Sequence, residues 1–120
     1  MTEQDAINLA QKWLDDWNHH DLDAILSHYA ESIEFSSPFI AKLLNEPSGK
    51  IQGKSALRDY FAKGLAAYPQ LRFELEQILV GVDSIVIYYR SIQNLLAAEW
   101  MLIDEHGLVV SVRAHYSLQS

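Results

Sequence analysis

Apolar residues at the start of the chain recur at intervals of three and four. Ala6, Ala10, Trp13, Leu14 and Trp17 fall on one stripe of a helix, which the pattern places over residues 3–18. Thr2 stands at the N-cap with Asp5 three residues on, a capping box with Asp in place of Glu. Asn18-His19-His20 breaks the stripe. Asp21 then caps a shorter helix whose buried side carries Leu22, Ile25, Leu26 and Tyr29. Residues 33–36 alternate as a short strand does, and Pro38 ends it. Residues 39–53 read as a loop with a turn at Pro47-Ser48-Gly49, and a loop of that length in a small domain is often functional. A third helix over residues 54–68 turns Leu57, Tyr60, Phe61, Gly64 and Leu65 inward, and Pro69 stops it.

After Pro69 the period changes from helical to two. Strands are predicted over residues 71–81, 84–92, 95–103 and 108–118, rich in β-branched and aromatic side chains. The gaps at Val82-Asp83, Gln93-Asn94 and Asp104-Glu105-His106-Gly107 are short enough for hairpins, so these strands form an antiparallel meander. Helices followed by a meander make an α+β layout, with three helices on one side of a curved antiparallel sheet. The 120 residues suit a single domain, residues 1–120.

Hairpin lengths assign the faces. Two-residue turns at Gln93-Asn94 and Val82-Asp83 set Tyr88 opposite Glu99 and Gln77 opposite Tyr88, and a four-residue turn at 104–107 sets Glu99 opposite Val112. One face then carries Phe73, Leu75, Gln77, Val86, Tyr88 and Arg90, with Glu99, Met101, Val112, Ala114 and Tyr116 beside them. The opposite face carries Ile85, Ile87, Tyr89, Trp100 and His115. A change of one residue in any turn would flip the strands beyond it.

Composition narrows the class. The chain is 49% hydrophobic, with a formal net charge of −7, nine scattered Lys and Arg, and no cysteine. That balance disfavours nucleic acid and anionic membrane as partners, since neither finds a basic stripe. Disulfide and thiol chemistry are excluded. The acidic, amphipathic N-terminus lacks the form of a secretion signal, and a cytoplasmic location is expected. His19-His20-Asp21 is compact, but adjacent side chains diverge, so no metal site is expected there. No cofactor is called for either.

Three stretches carry a resemblance: Trp17 to Pro38 (WNHHDLDAILSHYAESIEFSSP), Gly53 to Phe61 (GKSALRDYF) and Gly107 to Tyr116 (GLVVSVRAHY). With the order of elements, they resemble the nuclear transport factor 2-like superfamily, which includes SnoaL-like polyketide cyclases and ketosteroid isomerases. The resemblance implies a cone of three N-terminal helices packed on a curved sheet enclosing a pocket. It also implies frequent sheet-to-sheet pairing of two copies. The general-base Asp of the ketosteroid isomerases falls on Ser37, their oxyanion Tyr on Trp13 and their protonated Asp on Glu99.

Glu99 is the sharpest chemical candidate. A carboxyl group on an apolar face is costly to ionise, so burial raises its pKa towards that of an acid or base useful at neutral pH. The competing reading is a structural ion pair with Arg90. Tyr88 beside it could donate to a ligand carbonyl, Arg90 could anchor an anionic group, and Gln77 completes a polar row. Trp13, Trp17, Tyr29, Phe35, Phe39, Tyr60 and Phe61 supply large rings for the walls of an apolar pocket. Ser37, Phe73, Met101, Val112 and Tyr116 complete the expected lining. These residues point to acid–base chemistry on a small hydrophobic carbonyl compound, or to a binding protein for one. The opposite face, with Ile85, Ile87, Tyr89, Trp100 and His115, is too apolar for water and predicts a homodimer.

Overall fold

In a computed structural model, residues 1–118 are described. Helix α1 (Glu3–Asn18) begins with the predicted capping box, both reciprocal bonds between Thr2 and Asp5 being present. Its stripe, Ala6 to Trp17, is buried. Asp21 caps α2 (Leu22–Leu26) through Ala24 N–H. Strand β1 (Tyr29–Ser36) starts earlier than the alternation suggested, so Tyr29 belongs to the strand and not to the preceding helix.

The predicted loop 39–53 contains two elements. Ser37 caps a short helix, α3 (Pro38–Leu43), accepting from Phe39 N–H at 3.2 Å with Pro38 in the first turn. Strand β2 (Lys50–Gln52) then pairs antiparallel with β1. Four α-helices are therefore present among the described residues, where three were predicted. Helix α4 (Lys54–Ala67) is followed by β3 (Glu74–Val80), β4 (Ser84–Arg90), β5 (Leu96–Ile103) and β6 (Val109–Tyr116).

The six strands form one curved, unclosed sheet in the order β2-β1-β6-β5-β4-β3. The meander is antiparallel as read from the gaps, but β1 joins β6 in parallel, so the sheet is mixed. A parallel pair needs a long connection, and here all of β2 to β5 lies between the two strands. The fold is α+β, with α1 and α4 packed against the sheet.

Register corrects the face assignment. The β4–β5 turn has the predicted form: Gln93 and Asn94 sit at φ 56° and 61°, and Leu95 N–H donates to the Ile92 carbonyl at 3.1 Å. Immediately before it, Ser91 N–H also reaches the Leu95 carbonyl, at 2.7 Å. Two residues thus oppose one, which is a β-bulge, and the register below it moves by one. Arg90 faces Leu96, Tyr88 faces Ala98 and Ile87 faces Glu99. The expected Tyr88–Glu99 and Arg90–Ala97 pairs do not form. Ile85, Ile87 and Tyr89, expected on the outer face, are 1%, 0% and 1% exposed beneath the helices. Val86, Tyr88 and Arg90, expected inside, lie on the outer face with Trp100.

Further along, β3 and β4 pair as predicted from Gln77↔Tyr88 to Val80↔Ile85, then shift at Glu76, so Leu75 faces Tyr89. Gln77 and Leu75 are exposed. Between β5 and β6 two offsets cancel. The turn closes one residue tighter, with Asp104 N–H on the Leu108 carbonyl, and the ladder shifts again between Leu102 and Ile103. Glu99 faces Ala114, not Val112, and Met101 faces Val112. Two one-residue shifts restore parity, so Glu99, Met101, Val112, Ala114 and Tyr116 all stay on the inner face.

Candidate functional site

The inner face and the helices enclose an aromatic chamber. Trp13 and Trp17 reach it from α1, Tyr29 and Phe35 from β1, Phe39 from α3, and Tyr60 and Phe61 from α4. Phe73, Tyr89 and Tyr116 close it from the sheet side. The rings meet edge-on and tilted: Trp17–Phe61 at 4.8 Å, Phe73–Tyr89 at 4.7 Å and Phe39–Tyr116 at 4.7 Å between centroids. Trp13 Nε1 donates to the Tyr29 hydroxyl at 2.9 Å, which ties α1 to β1. The remaining cavity is about 60 Å³, room for a few waters.

Glu99 is the acidic group in this wall. It is 3% exposed and comes from β5, flanked by β4 and β6. Its Oε1 accepts from the Tyr89 hydroxyl at 2.7 Å, while Oε2 is buried with no partner among the described residues. Burial raises the carboxyl pKa from 4.5 to about 7, against the opposing pull of the Tyr89 hydrogen bond. The neighbouring phenols are pushed up too. Burial is the main cause and the Glu99 charge adds to it: Tyr60 rises to about 12, while Tyr89 and Tyr116 lie well above their usual range. The Tyr116 hydroxyl stands beside that of Tyr89, and Ser37 neighbours both Tyr60 and Tyr116. The arrangement is a neutral-prone acid among neutral hydroxyls in an apolar box. It can donate to, or take a proton from, a polar atom placed against Oε2.

The bulge decides which predicted residues reach this chamber. Tyr88 does not; Tyr89 stands in its place. Arg90 does not pair with Glu99. Its Nε lies 3.6 Å from Glu76, and its Nη1 donates to Asn94. Gln77 is exposed on the outer face. Met101 and Val112 are buried on the inner face, in the core and away from the cavity wall. Ser37 is buried as the cap of α3 and lies outside the lining, its Oγ engaged with Phe39 N–H. Trp13, Trp17, Tyr29, Phe35, Phe39, Tyr60, Phe61, Phe73, Tyr116 and Glu99 line the cavity.

Sequence reasoning missed Tyr89, Leu43, Tyr68, Leu71, Ser91 and Ile92, which also line it, and it turned Gly64 inward without naming it as lining. Leu43 was findable: Phe39, Ile40, Leu43 and Leu44 follow a Ser-Pro start at helical spacing. Tyr89 was not, because nothing in the local pattern marks a bulge at Ser91. Three of the histidines serve structure. His20 bonds the Leu71 carbonyl, His19 the Asp15 carbonyl, and His28 the buried Asp16 at 2.7 Å.

A SnoaL-like domain model matches residues 10–118. The chain belongs to the SnoaL-like family. Among solved structures, this SnoaL-like protein is similar to a SnoaL-like protein of unknown function from Burkholderia thailandensis, at 43% identity and TM-score 0.93 over 98% of each chain. It has the same fold as a candidate ketosteroid isomerase from Kribbella flavida, at 19% identity and TM-score 0.76, over 99% of this chain and 82% of that one. It also shares the fold of AclR, a candidate hydroxylase from Streptomyces galilaeus, at 16% identity and TM-score 0.75, over 98% and 92%. No curated protein matches. Among the described residues, no helix is long and apolar enough to cross a membrane.

Proposed function

We propose that this SnoaL-like protein is a cofactor-independent enzyme that acts on a small hydrophobic carbonyl compound by acid–base chemistry, with Glu99 as the catalytic group and Tyr89 holding it. One observation carries the reading. A fully buried carboxyl group, raised to about 7, keeps one oxygen with no partner among the described residues in a wall of aromatic rings. Leaving such an oxygen unmatched is costly unless something else satisfies it, and a substrate oxygen does so. A group that titrates near neutrality can both give and take the proton. The test is turnover of a panel of enolisable and cyclic ketones by the wild type and by Glu99→Gln. Equal turnover by the two would refute the assignment.

A second reading is a non-catalytic carrier or sensor for the same class of ligand. It is favoured by Ser37, which caps a helix where the ketosteroid isomerases have their base. Native mass spectrometry of protein purified from its own host separates the two. A stoichiometric molecule recovered unchanged supports carriage.

A homodimer through the outer sheet face remains part of the proposal, with Trp100 and His115 kept and with Val86, Tyr88 and Leu79 in place of the buried Ile85, Ile87 and Tyr89. Leu79 is 50% exposed and His115 is exposed, while Trp100, Val86 and Tyr88 are half-buried. An apolar sheet face of this kind is stabilised by a two-fold partner. Light scattering should give twice the 13.7 kDa of one chain, and Trp100→Glu should give one chain mass or insoluble protein. A wild type at one chain mass would remove the dimer.

A further inference from the structure

Helix α4 carries a glycine where its surroundings require none. Gly64 lies within the helix, its φ is not in the left-handed region, and a Cβ built on it meets no heavy atom within 4 Å. Neither backbone conformation nor close packing explains it, and glycine is a poor choice for a helical position. What Gly64 does face is empty space. With Tyr60, Phe61 and Tyr68 it forms the α4 side of the chamber that holds Glu99. Along this side, Phe61 and Tyr60 are 3% and 8% exposed, whereas Gly64 and Tyr68 are only half-buried. Gly64 therefore sits towards the mouth.

Outside the mouth the wall continues. Tyr68, Leu71, Ser91 and Ile92 belong both to the chamber and to an outer groove of about 440 Å³. The chamber alone, at about 60 Å³, is far below the several hundred Å³ typical of small-molecule sites. A molecule with its polar atom at Glu99 must extend outward past Gly64.

We propose that Gly64 is a size-selecting residue: the gap left by its missing side chain is the passage along which an elongated, apolar carbonyl compound runs from Glu99 into the outer groove. This rests on the reading of the chamber as a substrate site and adds the shape of the substrate. A methyl group at this position would favour the helix and narrow the passage. Stability and binding should then move in opposite directions, which a purely structural glycine would not produce.

Trp13 and Trp17 line the chamber, so their fluorescence reports occupancy. The probes are a short ketone, cyclohexanone, and a long one, 4-phenylcyclohexanone, titrated into the full chain. The wild type should be quenched saturably by both. Gly64→Ala should weaken the long ketone by about tenfold and leave the short one within about twofold. Its melting temperature should be equal to or above that of the wild type. Gly64→Phe should abolish binding of the long ketone. Equal affinity of the wild type and both variants for the long ketone would overturn the assignment of Gly64. So would an equal loss of both ketones in Gly64→Ala, or a lowered melting temperature in that variant. A wild type quenched by neither ketone would overturn the proposed function and this inference with it, an outcome distinct from the other three.

Discussion

Replacing Glu99 by glutamine should make the protein more stable at pH 8 and leave it unchanged at pH 4.5. In the folded chain, burial raises the Glu99 pKa from 4.5 to about 7. Below pH 4.5 the carboxyl is protonated in both folded and unfolded chains, and burial exacts no ionisation cost. Between 4.5 and about 7 the unfolded chain gives up the proton and the folded chain keeps it, so stability falls as pH rises. Above the folded pKa the loss levels off. At about 1.4 kcal/mol per pH unit, the rise amounts to about 3 kcal/mol. The glutamine side chain of the Glu99→Gln variant does not titrate, and its amide oxygen can still accept from the Tyr89 hydroxyl. The difference between variant and wild type should therefore grow from near zero at pH 4.5 to about 3 kcal/mol in favour of the variant at pH 8. Other titrating groups are common to both chains and cancel in the difference. Urea denaturation followed by tryptophan fluorescence at pH 4.5, 6, 7 and 8 measures it. A difference that stays flat across that range would show that Glu99 ionises normally, and the argument from burial would fail.

Tyr89→Phe removes the hydroxyl that donates to Glu99 Oε1, so at pH 8 it should cost about 1–3 kcal/mol and raise the Glu99 pKa further, which carboxyl-carbon NMR reads directly. Tyr88→Phe, on the outer face, should leave that pKa unmoved; equal effects of the two would refute the register. Asp16 is 6% exposed, and although burial pushes its pKa up, hydrogen bonds from Lys12 and His28 outweigh it and hold the pKa below the usual 3.8. Its stabilisation is thus present above that value and lost as pH falls through the lower folded pKa. Asp16→Asn should cost about 1–3 kcal/mol at pH 6, with the deficit shrinking towards pH 2 in urea titrations.

The sequence by itself determined the elements that depend on neighbours in the chain. The capping box at Thr2 and Asp5, the stripe from Ala6 to Trp17, the stop at Pro69 and the turn at Gln93-Asn94 follow from local chemistry, and the structure has each of them. Membership of the SnoaL-like family was legible for the same reason, since the order of elements is itself a sequence property. So was Glu99 on the inner face. That placement survived because two offsets between β5 and β6 cancelled, which only the structure shows.

What tertiary structure decided was parity and closure. The bulge at Ser91 exchanges Tyr88 for Tyr89 at the carboxyl group and moves Arg90 to the outer surface, yet its residues carry no local mark. A strand with Val86, Tyr88 and Arg90 on one side and Ile85, Ile87 and Tyr89 on the other is half apolar either way. The helices choose between them: Ile85, Ile87 and Tyr89 bury completely, whereas Arg90 inside would have had to bury its guanidinium in the aromatic box. The parallel joining of β1 to β6 and the pairing of β2 with β1 were also beyond the local pattern. Both depend on contacts between segments far apart in the chain, and side-chain spacing cannot record those.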